Sequence, residues 1–279
     1  NIHGNLMLDL TPFTIVIKPN KILVMLFGAK DSYMKYTKRP AWSGASSDLR
    51  ADTMYVIESD SFYPLSVHEL THLYFDGYFL PTISPLWLSE GMAVYMQITT
   101  TKEKPSWVDR SLRRILKGDF IPFEEMTQTE DLSNYSTSQA ELWYTQAYSV
   151  VSYLLQTRTR DEFYRLCNEL KSKTPLYQAL YRAYGMPFNR ISVLENVWRH
   201  DLQKAYEEGK ILQPAAPKKT VKTTVTVTTQ NAAPAKTGAS KQTAAKAASQ
   251  PAAAKPAPQK TKINKLQMVP TNGYKGGFN

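Results

Sequence analysis

Residues 63–79 read YPLSVHELTHLYFDGYF, and His68, Glu69 and His72 within them decide how the rest of the chain is read. Four histidines occur in 279 residues, and two of them lie here, four apart, with a glutamate between. On an α-helix that spacing puts His68 and His72 about 40° apart around the axis and one turn along it, so both imidazoles leave the same face. Val67, Leu70 and Tyr74 fall on the opposite side and anchor the helix. Glu69 sits about 100° around from His68, beside the pair, where a carboxylate reaches a water at a metal without becoming a ligand itself. A helix is therefore predicted around the motif, opened by Pro64 in its first turn and closed at Asp76-Gly77.

Two imidazoles leave a metal one short of the three protein ligands that a catalytic zinc takes. Eighteen residues after His72, the segment PLWLSEGMAVY at 85–95 places Glu90 among Trp87, Leu88 and Met92. A carboxylate in so apolar a stretch needs a partner, and a metal at a helix crossing is one. Ser84-Pro85 reads as a cap and a first-turn proline opening this second helix, which runs to about Ile98.

Upstream of the motif the pattern is that of strands. FTIVIK at 13–18 and ILVMLF at 22–27, separated by Pro19-Asn20-Lys21, predict a hairpin, and MYVIE at 54–58 predicts a third strand. Downstream, apolar periodicity predicts helices over 138–156, 161–171, 175–184 and 189–208. The expected fold class is α+β: a small, mostly antiparallel N-terminal sheet followed by a mainly helical subdomain, together spanning residues 1–212.

Composition changes after Leu212. Residues 213–279 hold eleven lysines and no Asp, Glu or Arg; taking these from the 34 Lys+Arg leaves 23 against 24 Asp+Glu in residues 1–212. The basic balance of +10 thus belongs to a tail. Residues 213–262 are rich in Lys, Ala, Pro and Thr and poor in large apolar side chains, a composition that predicts a disordered linker. Residues 263–279 form a short C-terminal segment with no assigned role. The linker reads as a self-repelling spacer or as an adhesive for an anionic envelope polymer. Nucleic acid is disfavoured as a partner, because no aromatic lies between Tyr206 and Tyr274 for bases to stack on. Cys167 is the single cysteine, so there is no internal disulfide framework. No stretch is long and apolar enough to span a membrane.

HELTH followed by WLSEG at this distance resembles the gluzincin metallopeptidases, the group of thermolysin and the zinc aminopeptidases, and most closely their bacterial peptidase-MA-like branch. The resemblance runs from about residue 13 to 155 and includes RPAWSGASSD at 39–48. It implies a zincin-type helical subdomain with Zn²⁺ held by His68, His72 and Glu90, and with Glu69 as the general base of peptide-bond hydrolysis. It also implies that the strand before the motif helix, here 54–58, forms the upper rim of the cleft and pairs with an extended peptide substrate. In YTQAYSVVSYL at 144–154, Tyr144 matches by register the tyrosine that donates its phenol to the oxyanion. Tyr148, one turn further along the same face, is the alternative donor, and plain packing aromatics are the simpler reading of both.

Three departures stand out. Val94 occupies the position where the thermolysin-like pattern has an acidic residue that orients a zinc-bound histidine, which leaves Asp76 as a candidate for that work. GASSD at 44–48 stands roughly where the aminopeptidases carry the glutamate that holds a substrate's free amine. No histidine lies near Tyr144 in sequence, His200 and His3 both being distant. The functional expectation is a zinc metallopeptidase, the alternatives being a catalytically inactive, zinc-containing peptide-binding module of the bacterial envelope and an envelope structural protein working through its tail. The lysine-rich tail and the first residue, Asn1, resemble exported bacterial proteins, so an extracytoplasmic location is expected.

Overall fold

The computed structural model describes Leu10, residues 21–41 and residues 43–212. The strand expected at 13–18, its hairpin and both tail segments lie outside the described residues. Among the described residues the chain forms a three-stranded sheet and nine helices. Strand β1 (Leu23–Phe27) leads through helix α1 (Lys30–Thr37) to β2 (Ala45–Asp48), and β3 (Thr53–Ile57) completes the sheet in the order β1-β3-β2.

The pairing is mixed. β1 runs parallel to β3, from Leu23↔Thr53 to Phe27↔Ile57, because residues 28–52 carry the chain back before β3 begins. β2 is antiparallel to β3, from Ala45↔Val56 to Asp48↔Thr53. β3 is rich in β-branched and aromatic residues and its burial follows from its central position. β2, with the sequence ASSD, carries no such preference. It is a strand because β3 offers it a ladder and because Ala45 and Ser46 are buried against the helices.

The central place of β3 corrects one expectation. Its main chain is occupied on both sides, so residues 54–58 cannot take up an extended peptide; the edge nearer the helices belongs to β2.

The helical part begins with α2 (Phe62–Phe79), which carries the motif, and α3 (Leu86–Thr101). Then come α4 (Ser106–Leu116), α5 (Phe123–Met126), α6 (Thr137–Thr157), α7 (Arg160–Lys171), α8 (Leu176–Tyr184) and α9 (Ile191–Glu207). The helix around HELTH does not stop at Asp76-Gly77. It continues to Phe79 because Tyr78 and Phe79 are buried, and burying two aromatics outweighs the roughly 1 kcal/mol that a helical glycine costs. Asp76 is therefore a helical residue rather than part of a loop. Pro85, not Ser84, is the N-cap of α3. Capping boxes at Ser136/Gln139 and Thr159/Glu162 set the starts of α6 and α7. Of the helices not expected from sequence, α4 has an apolar stripe of Val108, Leu112 and Ile115 that is legible in retrospect, whereas α1 is polar and rests on the single buried side chain of Tyr33.

α3 is the middle of the helical part, packed against α2 on one side and α6 on the other. The approach to α6 depends on Gly91: a Cβ there would lie 2.6 Å from both the Ala147 carbonyl oxygen and Val151 Cγ2. Around this crossing Trp87, Trp143, Phe75 and Phe79 are fully buried, and Trp198 of α9 closes the far side with its indole N–H on Ser149 Oγ at 3.0 Å.

Gly91→Ala must push α3 and α6 apart, since one of the two contacts is backbone. A loss of about 1–3 kcal/mol in folding stability is expected, read by chemical denaturation. An unchanged midpoint would show that the two helices are free to separate.

Candidate metal centre

α2 and α3 cross so that three side chains from two helices meet at one point. His68 and His72 project from one face of α2, as their spacing requires, and Glu90 comes from the first turns of α3. His68 Nε2 and His72 Nε2 are 3.2 Å apart, and each is 3.3 Å from Glu90 Oε2. These atoms make a nearly equilateral triangle. Three ligands at about 2.0–2.2 Å from one ion and at near-tetrahedral angles lie about 3.3–3.6 Å from each other, so the triangle has the size of a zinc ligand face. Among the described residues this is the one group of three His, Cys, Asp or Glu side chains that can hold a metal ion.

The chemistry of the donors fits a cation as well as the geometry does. Glu90 Oε2 is buried and has no hydrogen-bond partner. Burial works against its ionisation, but His72 and then His68 outweigh it and hold the carboxyl well below the usual carboxylate range. Burial likewise works against a charge on His72, and the carboxylates of Glu90 and Asp76 overcome it and raise that imidazole well above its ordinary value. Both directions have one cause, the attraction between imidazole and carboxylate across this short gap.

The tautomer of His72 follows from its other side. Ser89 Oγ donates to Asp76 Oδ2 at 2.9 Å and Ser84 Oγ donates to Asp76 Oδ1 at 2.7 Å, which uses the single hydrogen of each hydroxyl. His72 Nδ1 lies 3.1 Å from Asp76 Oδ2 and 2.9 Å from Ser89 Oγ, so Nδ1 carries the proton and donates to them. Nε2 is then the nitrogen turned toward His68 and Glu90. Asp76 reaches His72 across one turn of α2, and this is possible only because the helix continues past Gly77. The orienting carboxylate absent at Val94, which is buried, is thus supplied from the motif helix itself. Ser84 was read from the sequence only as a helix cap and Ser89 was not singled out; the signal for Ser89 was a small polar residue directly before Glu90 in an otherwise apolar run.

The cluster lies in a cavity of about 500 Å³ between β2 and the helices. Ser43 to Ser47 form one wall, α2 and α3 the floor, and Trp107 with Tyr144 part of the other wall. Glu69 is 6% exposed and lines the same space. Tyr144 is close enough to feel both carboxylates: burial pushes its phenol well up, and Glu90 and Glu69 push in the same direction. Tyr148 is absent from the cavity lining, and its phenol is influenced instead by Tyr95 and Asp109. His200 is exposed on α9 and contributes nothing to the cavity lining, and His3 lies outside the described residues. GASSD forms the strand wall, as its position upstream of the motif suggested. Its one acid, Asp48, accepts from the backbone N–H groups of Arg50 and Ala51 and so is engaged in the β2–β3 turn.

A family model for the Peptidase MA superfamily matches residues 63–204, just over half of the chain and all of the site helices. The chain belongs to the Peptidase MA superfamily. No curated protein and no solved structure matches it. The match begins at Tyr63, so β2 and the strand wall of the cavity lie outside the part of the chain that the superfamily model covers. A peptide is the class of substrate that superfamily membership implies, and no helix among the described residues is long and apolar enough to cross a membrane.

Asp76→Ala should weaken the binding of zinc by roughly 10- to 100-fold without unfolding the protein, because it frees the His72 ring to rotate and to change tautomer. Competition against a chromogenic chelator reads this directly. Affinity equal to that of the parent protein would mean that Ser89 alone orients the ring.

Proposed function

We propose that this protein is a zinc-dependent peptidase that hydrolyses peptide bonds with Glu69 as general base. The observation that carries the reading is the triangle of two imidazole nitrogens and one buried carboxylate oxygen, which opens into a cavity shared with Glu69 and Tyr144. A zinc ion held by His68, His72 and Glu90 supplies a Lewis acid that polarises a carbonyl and lowers the pKa of a water toward neutrality.

The remaining work falls to side chains of the chain itself. Asp76 and Ser89 hold His72 in the tautomer that leaves Nε2 free. Glu69, next to the histidines yet outside their triangle, takes a proton from the attacking water and delivers it to the leaving amine. The Tyr144 hydroxyl, protonated at neutral pH by the ordinary pKa of a phenol, donates to the oxygen on which negative charge develops. Among the described residues β2 is an edge strand beside the cluster, and an extended peptide aligned on it brings its backbone past the site.

A binding module without turnover was suggested by the valine at position 94. The carboxylate that Asp76 brings to His72 removes that motive, and the presence of Glu69 in the cavity favours catalysis.

Glu69→Gln should retain the fold and its zinc while cleavage of a mixed peptide substrate falls by roughly 10² to 10⁴. Tyr144→Phe should lose roughly 10² to 10³. Full activity in Glu69→Gln would defeat the proposed mechanism. Unchanged activity in Tyr144→Phe would reduce that side chain to a packing role. Metal content measured on both variants separates a lost proton carrier from a lost ion.

A further inference from the structure

The cavity lining holds one basic side chain that the proposed mechanism does not use. Arg39 is the single lysine or arginine among its lining residues. The other charged groups there are acidic or belong to the histidine cluster, and two of the acids are already engaged: Glu141 with Arg110 at 2.7 Å, and Asp76 with His72 and two serines. Glu69 and Glu90 leave the inner end of the cavity rich in carboxylate.

Arg39 is exposed, and among the described residues its guanidinium has no ion-pair partner. Its backbone, in contrast, is held. Lys38 closes α1 in the left-handed region with φ 59°, its N–H bonded to the Met34 carbonyl, and Pro40 fixes the next residue. Ser43 N–H bonds the Pro40 carbonyl at 3.0 Å, and Ser43 Oγ lies 2.9 Å from the hydroxyl of the fully buried Tyr33 and donates to the Ala45 carbonyl at 2.8 Å. A five-donor side chain is thus mounted on a pinned corner, at the end of the strand wall where β2 begins. Its charge is felt by the Tyr144 phenol on the opposite wall and by Asp131.

We propose that Arg39 is the specificity residue of the cleft and binds a carboxylate of the peptide substrate, carried either by an acidic side chain or by the C-terminus. The proposal rests on the peptidase reading for its substrate class. A peptide added to the edge of β2 follows residues 43–47 and leaves the strand beside Arg39, where a guanidinium pairs a carboxylate through two parallel hydrogen bonds. Beside Glu69 the same carboxylate meets a like charge, so the acidic group is favoured at the Arg39 end and disfavoured next to the general base. The cavity wall formed by β2 also lacks a free carboxylate for a substrate amine, since Asp48 is committed to its turn.

The test is a binding measurement on the zinc-loaded protein, with matched peptides differing only in Glu against Gln or in a free against an amidated C-terminus. The carboxylate form should bind about 5- to 20-fold more tightly, less than a buried charged hydrogen bond would supply because Arg39 is exposed. Arg39→Gln should abolish that difference while leaving the affinity for neutral peptides and the zinc content unchanged. Arg39→Glu should reverse it toward lysine-bearing peptides. Sensitivity to amidation assigns the carboxylate to the C-terminus, and sensitivity to Glu against Gln assigns it to a side chain. Equal binding of the two members of every pair, or an equal loss for charged and neutral peptides in Arg39→Gln, overturns the proposal. A persistent preference without cleavage of any peptide would instead count against the peptidase reading and leave Arg39 in its role.

Discussion

Two imidazole nitrogens and a carboxylate oxygen, each about 3.3 Å from the others, are brought to one point from two helices. Much of the surrounding structure serves to keep them together. α2 and α3 are locked at their crossing by Trp87, Phe75 and Phe79, and α3 is pressed onto α6 through the missing side chain of Gly91. Packing enthalpy and apolar burial over this crossing set the distance between the two helices and so hold the three side chains at one point. The residue that follows Glu90 is the one whose lack of a Cβ brings α6, and with it Tyr144, up to the cluster. Stability and chemistry are linked at that glycine.

The orientation of His72 shows how the same physical requirement is met by different means. An imidazole that presents Nε2 to a cation needs an acceptor at Nδ1, and the thermolysin-like pattern supplies one from the helix of the glutamate. Here Val94 fills that position and packs into the core, while Asp76 performs the task from one turn further along the motif helix. The two serine hydroxyls complete the arrangement by pointing their hydrogens at Asp76, which leaves Nδ1 as the donor.

The cleft is asymmetric in charge and in regularity. Its inner end, built on two long helices, carries the carboxylates and the histidines; its outer wall is a short strand of small residues, and Arg39, ahead of that strand in the chain, also lines it. A rigid floor with a strand edge beside it suits an extended chain, whose main chain is held by the ladder and whose side chains are sorted by whatever lines the walls. The superfamily match covers the helices and stops short of that strand.

The amino-acid sequence by itself determined the helical motif, the shared face of His68 and His72, and the place of Glu90 early in the next helix. Those features depend on local periodicity: i, i+4 spacing puts His68 and His72 on one face wherever the helix forms, and Glu90 in an apolar run is costly without a partner. What local pattern cannot carry was decided by tertiary structure. ASSD has no intrinsic strand preference and became one because β3 offered it a ladder, and β3, strand-like by composition, became central rather than a rim because β1 runs parallel along its other side. Asp76 looked like the end of a helix until the burial of Tyr78 and Phe79 carried the helix past Gly77 and made it the partner of His72. Tyr144 and Tyr148 share a helix face and period, and only the packing of α3 against α6 places one of them in the cavity. Sequence spacing sets which side chains can meet along one helix; the distance between helices, and hence which residues of different elements meet, is set by the packed volume between them.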